Sequence, residues 1–161
     1  MVGLGLLVLR IALAVVFFAH GGNKLFGLFG GPGIGSGGLT SASEYFTTLG
    51  IHPAFLFAVI ESVLEVAGSI LIGLGFLTRW ASAALAISMG VAIWKAHLPW
   101  GFFLNWTGAA GRGHGMEYAL VLCLALVALA LTGGGDLSVD GMNQRSADRD
   151  AAGRARLRGK V

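Results

Sequence analysis

Two acidic side chains lie inside an apolar stretch of this sequence, where charged groups are unusual. Glu61 and Glu65 interrupt the run from Pro53 to Leu77, and Arg10 interrupts the run from Val2 to Ala19. A charge within a bilayer is unfavourable by several kcal/mol unless it is paired or hydrated, so such residues mark candidate functional sites. Because Glu61 and Glu65 are four residues apart, they share one face of a helix.

Arg10 is expected at a depth between the two carboxylates. Counted from His20 at about 1.5 Å per residue, Arg10 lies roughly 15 Å below the outer end of the first apolar run. Counted in the same way from His52, Glu61 and Glu65 lie roughly 13 and 19 Å deep. We therefore predict a cluster in which Arg10 bridges both glutamates. One carboxyl is then in surplus and could carry a proton; the alternative is an ion pair that only sets helix register.

Histidines form a second pattern, because each lies at the boundary of an apolar run. Other polar residues are expected in the same outer layer. Together with them, the histidines could bind a metal or haem, relay protons to a quinone headgroup, or line the mouth of a polar cavity. The histidines come from four separate segments without metal-site spacing, which favours the cavity mouth, and we predict no metal. The layer contains His20, His52, His97, His114, Lys24, Lys95, Arg112 and Glu117.

Aromatic residues crowd the segment that follows the third apolar run. Tryptophan at such a boundary is typical of the membrane interface, and these rings could also line a site for a flat molecule such as a quinone. The aromatic residues are Trp94, Trp100, Phe102, Phe103 and Trp106. Our catalytic candidates are Glu65, Glu61, Arg10 and Glu117; our cofactor-binding candidates are His20, Lys24, His97, His114 and Trp94.

The elements that must position these residues follow from composition. The 161 residues are 55% hydrophobic and only 12% charged, with a net charge of +3, and the mean hydropathy is +0.78. A soluble domain carries about 25% charged residues, so lipid must cover much of this apolar surface. We predict an all-α membrane protein, a bundle of four transmembrane helices over 2–20, 53–77, 81–97 and 116–132, each close to the length that a bilayer requires.

The basic residues predict the orientation of the bundle. The connection Thr78–Trp80 is short, so spans two and three are antiparallel neighbours. Its side of the membrane carries seven basic residues and the opposite side three, which predicts that both termini are cytoplasmic. The seven are Arg79, Arg145, Arg149, Arg154, Arg156, Arg158 and Lys160, the three are Lys24, Lys95 and Arg112, and Arg10 completes the eleven.

Further expectations concern the segments around the spans. Residues 1–140 form the membrane domain, and 141–161 form a disordered basic cytoplasmic tail that contacts anionic lipid rather than nucleic acid. Ser41 and Glu44 form a capping box for a short interfacial helix over 41–49. Small residues at Ser88, Ala92 and Ala96 suggest close helix packing. The GxGxxG match over 33–38 lacks the strand and helix of a dinucleotide site.

In four stretches the sequence resembles the DoxX family of small four-helix membrane proteins. The first runs from Arg10 through Phe17, His20 and Gly21 to Lys24-Leu25. The others are Glu65-Val66-Ala67-Gly68 leading to Thr78-Arg79, then Gly115-Met116-Glu117, and finally Gly133-Gly134-Gly135-Asp136-Leu137-Ser138-Val139-Asp140. They cover about 130 residues in the family's order and place Arg10, His20, Lys24, Glu65 and Glu117 on its motifs.

The resemblance implies a bundle in the cytoplasmic membrane that takes part in sulfur or thiol redox chemistry or oxidative-stress tolerance. The family takes its name from the membrane subunit of a thiosulfate:quinone oxidoreductase, so quinone is the cofactor that the resemblance suggests. Three hypotheses stay open: a quinone-linked redox subunit, a non-catalytic membrane scaffold that anchors oxidative-stress enzymes through the tail, and a small transporter. The partners that stay open are soluble redox or sulfur-metabolism enzymes. The oligomeric state, including a homo-oligomer, also stays open.

Overall fold

The computed structural model describes residues 2–30 and 37–158. The glycine-rich match over 33–38 lies mostly outside these residues, as does Lys160. The described residues form helices joined by turns and loops. They are α1 (Val2–Phe26), α2 (Leu39–Thr48), α3 (Ala54–Leu74), α4 (Thr78–Ala92), α5 (Glu117–Thr132) and α6 (Val139–Arg158); α4 continues through a π-helical turn (Ile93–His97) and a 3-10 turn (Leu98–Trp100).

The apolar helices have the length and surface of transmembrane segments. Among the described residues, α1, α3 and the continuous helix Thr78–Trp100 are long and apolar enough to cross a membrane, and α5 is a shorter apolar helix. Large hydrophobic side chains point away from the bundle, as at Val15 and at Ile87, which is 72% exposed. The predicted all-α bundle is therefore confirmed.

The bundle is built from two tightly packed helix pairs. α1 packs along α3 and α4 packs along α5, while α3 and α4 join the pairs and α2 lies against α3 and α1. Buried residues from all four long helices form one core, which includes Leu13, Phe17, Ile72, Leu85, Leu126 and Leu129. At Gly68, an added Cβ would lie 2.9 Å from the Leu85 side chain, so this glycine lets α3 and α4 approach closely.

The two ends of the bundle differ in their connections. We call the end with Phe26, Ala54, Trp100 and Glu117 the loop end, and the end where α3 meets α4 and α5 meets α6 the tail end. The loop end is the predicted outer side, and the tail end is the predicted cytoplasmic side.

Helix boundaries differ from the prediction in three places. α1 continues six residues beyond 20, to Phe26, so Lys24 belongs to its last turn instead of a loop. α3 ends earlier because Gly75 adopts the left-handed conformation with φ of 71°, and Thr78–Trp80 form the first turn of α4 instead of a connection. The short helix predicted over 41–49 is present as α2.

The predicted cap of α2 is wrong, and the tail, for which we predicted disorder, is helical in this structure. α2 begins at Leu39 after Gly38, and no side chain caps it, so Ser41 is inside the helix rather than at its start. The tail forms α6 as far as Arg158. The Ser138 hydroxyl accepts a hydrogen bond from the Gly141 N–H at 2.9 Å, which satisfies a first-turn donor and explains why a helix begins there.

Candidate functional site

A buried ion-pair cluster joins α1 to α3 near the loop end. The Lys24 ammonium donates to Glu65 Oε2 at 2.7 Å and lies 3.8 Å from Glu61 Oε1. Lys24 and Glu65 are only 7% and 4% exposed. Glu61 also accepts a hydrogen bond from the Ser88 hydroxyl of α4 at 2.5 Å. We call Lys24, Glu61, Glu65 and Ser88 the loop-end cluster; it links three helices and has one carboxyl more than it has ammonium groups.

The prediction that Arg10 bridges the two glutamates is wrong, because Lys24 has that place. Each Cα–Cβ bond in a helix is tilted toward the helix N-terminus. α1 begins at the tail end, so Lys24 extends from its last turn toward the middle of the bundle. α3 runs the opposite way, and its glutamates extend toward the loop end. The ammonium and the carboxylates therefore approach each other.

Gly21 allows the backbones of α1 and α3 to approach closely beside the loop-end cluster. A Cβ at this position would lie 2.8 Å from Glu65 Cβ and 2.9 Å from the Val66 backbone nitrogen. Only a residue without a side chain fits there, one turn before Lys24. The glycine in the His20-Gly21 pair is thus required by helix packing at the site.

A groove of about 360 Å³ opens beside the loop-end cluster, between α3 and α4 and under α2. Its inner end contains Lys24, Glu61 and Ser88, while its walls are mostly apolar. Such a volume and such a lining are typical of small-molecule sites. Phe57, Ile60 and Val91 line the groove and are also 41%, 50% and 45% exposed, so it opens toward the lipid-facing surface. The other lining residues are Tyr45, Phe46, Leu49, Ile51, Ala92, Lys95, Ala96 and His97.

Two local features shape the mouth of the groove. Ile93–His97 form a π-helical turn, a distortion that is frequent at functional sites, and it presents Lys95 and His97 to the groove. From α2, Tyr45 contributes a half-buried phenol whose pKa is raised by burial, so it is a hydrogen-bond donor at neutral pH. The groove therefore has an apolar middle and polar groups at both ends.

Arg10 lies in a different part of the molecule, at the tail end. It is 1% exposed, and its Nη2 donates to the Leu137 carbonyl at 2.6 Å. Its Nε and Nη1 are buried with no hydrogen-bond partner among the described residues. A Cβ at Gly75 would collide with the guanidinium, so Gly75 is needed for space as well as for its positive φ. Arg10 thus joins α1 to the segment before α6.

Asp140 completes this tail-end junction by capping α4. Its carboxylate accepts hydrogen bonds from the Leu77 N–H at 3.0 Å, the Thr78 N–H at 2.9 Å and the Thr78 hydroxyl at 2.8 Å. Partial burial works to raise the pKa of Asp140, but the hydrogen bonds from Thr78 and Leu77, together with the nearby Arg10 charge, lower it overall. The acidic end of the glycine-rich motif therefore fastens α6 to α4.

Glu117 and His114 hold the loop between α4 and α5 in shape. Glu117 Oε2 accepts a hydrogen bond from the Leu104 N–H at 3.2 Å, and His114 Nδ1 accepts one from the Asn105 N–H at 3.2 Å. His97 Nδ1 lies 3.0 Å from the His114 carbonyl oxygen. A Cβ at Gly115 would lie within 2.5–2.7 Å of three carbonyl oxygens of residues 101–103. In this structure these candidates organise a loop, and His97 alone among them also lines the groove.

The remaining candidates stay at the surface. His20 and His52 are exposed and form no hydrogen bond with the described part of the chain. Trp94 is also exposed, and the Lys95 ammonium lies 4.6 Å from its ring centroid. The predicted outer layer is therefore not one cluster. Within residues 2–30 and 37–158, no three His, Cys, Asp or Glu side chains are placed to hold a metal ion.

Sequence reasoning missed the α4 side of the groove. The spacing of Ser88, Ala92 and Ala96 predicts a helix-packing stripe, but all three residues line the groove. The small side chains leave a space open instead of admitting another helix. The signal available in the sequence was the polar Ser88 opposite an acidic helix face, since a hydroxyl in an apolar helix needs a partner.

Comparison with known proteins places the chain in a family. The DoxX family model matches residues 5–98, more than half of the chain. Relatives include "Putative oxidoreductase CatD" of Bacillus subtilis, 28% identical over 85% of each chain, and "Inner membrane protein YphA" of Escherichia coli, 30% identical over 84% of this chain and 87% of the relative. "Uncharacterized membrane protein Rv3486" of Mycobacterium tuberculosis is 32% identical over 82% and 77%. No solved structure matches the chain. With its transmembrane helices, this chain belongs to the DoxX family of membrane proteins.

Proposed function

We propose that this protein is a membrane subunit in redox metabolism, located in the cytoplasmic membrane, and that its groove binds a lipid-soluble quinone. The observation that carries the proposal is the groove itself, which opens toward lipid and ends at the loop-end cluster. One relative is named a putative oxidoreductase and another an inner membrane protein, which supports the same assignment.

The residues of the groove suit a quinone by their chemistry. A quinone has a flat apolar ring with two carbonyl oxygens, and its reduction takes up two electrons and two protons. Phe46 and Phe57 provide aromatic surface, and the Tyr45 hydroxyl can donate a hydrogen bond. Glu61 and Glu65 share one ammonium, so the loop-end cluster can hold a proton without gaining a net positive charge. The electrons come from a donor on another protein or a soluble reductant.

Blocking the groove tests the proposal directly. The full-length chain is purified in mild detergent, extracted with organic solvent to measure bound quinone, and titrated with a short-chain quinone while tryptophan fluorescence is followed. Ala92→Phe fills the groove and is expected to abolish binding. Ala128→Phe is the matched control, because Ala128 is exposed on α5 away from the groove. Equal quinone binding by the Ala92→Phe and control variants would refute the proposal.

Ser88→Ala tests the polar end of the groove. Ser88 donates its only hydroxyl proton to Glu61, so the change releases Glu61 at the inner end of the groove. We expect binding to weaken by about two- to ten-fold, which corresponds to the net contribution of one hydrogen bond, about 0.5–1.5 kcal/mol. Ser69→Ala is the control, because the Ser69 hydroxyl bonds to the Val66 carbonyl within α3. If both variants bind as the unmodified protein does, the hydrogen bond between Ser88 and Glu61 has no part in binding.

A scaffold role is the second candidate, and α6 favours it. Residues 142–157 of this helix are exposed along their whole length and carry most of the basic residues of the tail. Such a surface can anchor soluble redox or sulfur-metabolism enzymes. Deleting residues 146–161 would abolish activity in cells under the scaffold hypothesis while leaving quinone binding by the purified protein unchanged.

A further inference from the structure

A second cavity of about 360 Å³ lies at the tail end, at the other end of the bundle from the groove. Its walls come from the first turn of α4, from the linker after α5 and from the first turns of α6. It lies where the apolar helices meet the polar tail, which is the level at which we expect lipid headgroups. This cavity does not depend on the proposed quinone groove.

Arg79 is the cation of this cavity that has no acidic partner. No carboxylate of the described residues lies within 4.0 Å of its guanidinium. Its Nη2 lies 3.4 Å from the Thr132 carbonyl, and its side chain runs past Gly133, where an added Cβ would lie 3.2 Å from Nε. The glycine and the carbonyl thus fix the direction of Arg79, while the rest of its guanidinium keeps free donors.

The carboxylates that line the same cavity are already engaged. Asp140 accepts three hydrogen bonds from Leu77 and Thr78, and Asp136 lies 3.8 Å from the Arg145 guanidinium. These contacts leave the positive charge of Arg79 uncompensated within the described structure. A guanidinium in a cavity binds phosphate well, because its parallel N–H groups match two phosphate oxygens.

We infer that the tail-end cavity binds a phosphate group through Arg79, and that a phospholipid headgroup supplies it. Asn143 and Gln144 line the cavity and offer additional amide donors for the phosphate oxygens. Trp80 lies on the same wall and is 77% exposed, an apolar ring where the glycerol and upper acyl chains of a lipid would lie. A free phosphate ester has the same charged group but no acyl chain to contact the Trp80 ring.

Thermal unfolding of the delipidated full-length chain in detergent tests the inference with three probes. Dioctanoyl phosphatidylglycerol is expected to raise the unfolding midpoint, whereas dioctanoylglycerol and inorganic phosphate are expected to leave it unchanged. In Arg79→Gln the apparent affinity for phosphatidylglycerol should fall by about ten-fold or more, the loss expected for a charged hydrogen bond. Arg149→Gln removes the same charge from exposed α6 outside the cavity and should keep the full response.

Each outcome of this experiment bears on the inference. If inorganic phosphate alone raises the midpoint, and does so only with Arg79 present, the phosphate site is supported and its source is a free anion. Arg79→Lys keeps the charge and should keep part of the response, which separates loss of binding from loss of folding. The inference would be overturned if phosphatidylglycerol shifted the unfolding midpoint of Arg79→Gln as much as that of Arg149→Gln. It would also be overturned if dioctanoylglycerol shifted the midpoint of the unmodified protein as much as phosphatidylglycerol does.

Discussion

Replacing Lys24 with methionine is expected to destabilise the bundle more than any other single change in the loop-end cluster. Methionine has nearly the length of lysine but no charge, so the change leaves Glu65 buried without its partner. Removing one member of a buried ion pair costs about 3–5 kcal/mol. Glu65→Gln should cost less, because Lys24 then still has Glu61 at 3.8 Å.

The double variant distinguishes a true pair from two independent effects. Lys24→Met combined with Glu65→Gln removes both charges, so its loss of unfolding free energy should be smaller than the sum of the single losses. Contacting residues show coupling of about 0.5–3 kcal/mol, and the 2.7 Å contact places this pair toward the upper end. The measurement is unfolding by SDS added to mild detergent micelles, followed by circular dichroism.

A second cycle provides the control. Arg10 and Glu65 share no partner in the structure, so Arg10→Leu and Glu65→Gln should be additive within about 0.3–0.5 kcal/mol. Additive losses for Lys24 with Glu65, or clear coupling between Arg10 and Glu65, would refute the assignment of the ion pair. Coupling between Arg10 and Glu65 would, in addition, restore the pairing predicted from depth alone.

Three further changes test the geometry elsewhere. Gly21→Ala should lower the unfolding midpoint strongly. Gly5→Ala is the control and should not lower it, since a Cβ at Gly5 meets nothing within 4 Å. Equal midpoints of the two variants would contradict the close α1–α3 contact. Gly115→Ala should open the α4–α5 loop to protease in sealed vesicles, whereas Gly90→Ala, which also has free space, should not. Because the pKa of Asp140 is lowered, its stabilisation is present above the ordinary carboxyl pKa of about 3.9 and is lost as the pH falls through its folded value. The unmodified protein should therefore exceed Asp140→Asn in stability at neutral pH and lose this advantage in acid, and a constant difference would argue against the capping role.

Much of the fold could be predicted from the sequence because apolar runs of this length leave few alternatives. The order of the apolar helices, the short α2 and the shared face of Glu61 and Glu65 all follow from helical periodicity and span length. Helix ends were harder to predict, since they depend on partners that are distant in sequence. The N-terminus of α4 is an example, because Asp140, which caps it, lies 62 residues after Thr78.

The candidate site was only half predictable, for a related reason. Their position within an apolar run marks Glu61 and Glu65 as unusual, and the resemblance to the family includes Lys24. The groove, however, is a space between α3 and α4 that side chains leave unfilled. The distance between two helices is set by side chains on both of them and by connections such as Gly75–Leu77 at the tail end. Ser88 is small in either interpretation, so its sequence pattern could not distinguish a helix contact from a wall of a cavity.

The wrong prediction for Arg10 follows from an error in its depth along α1. Ending the first span at 20 instead of Phe26 shifted the depth of every residue in α1 by six residues, or about 9 Å. The count also used backbone positions, although long cationic side chains extend several ångströms toward the N-terminus of their helix. In antiparallel helices these extensions are opposite, so a cation in the last turn of α1 meets carboxylates about two to three turns into α3. By this rule the glutamates contact Lys24 and not Arg10, and the Arg10 side chain extends toward the tail end. The same geometry therefore explains why α1 carries two buried cations, one for each end of the bundle.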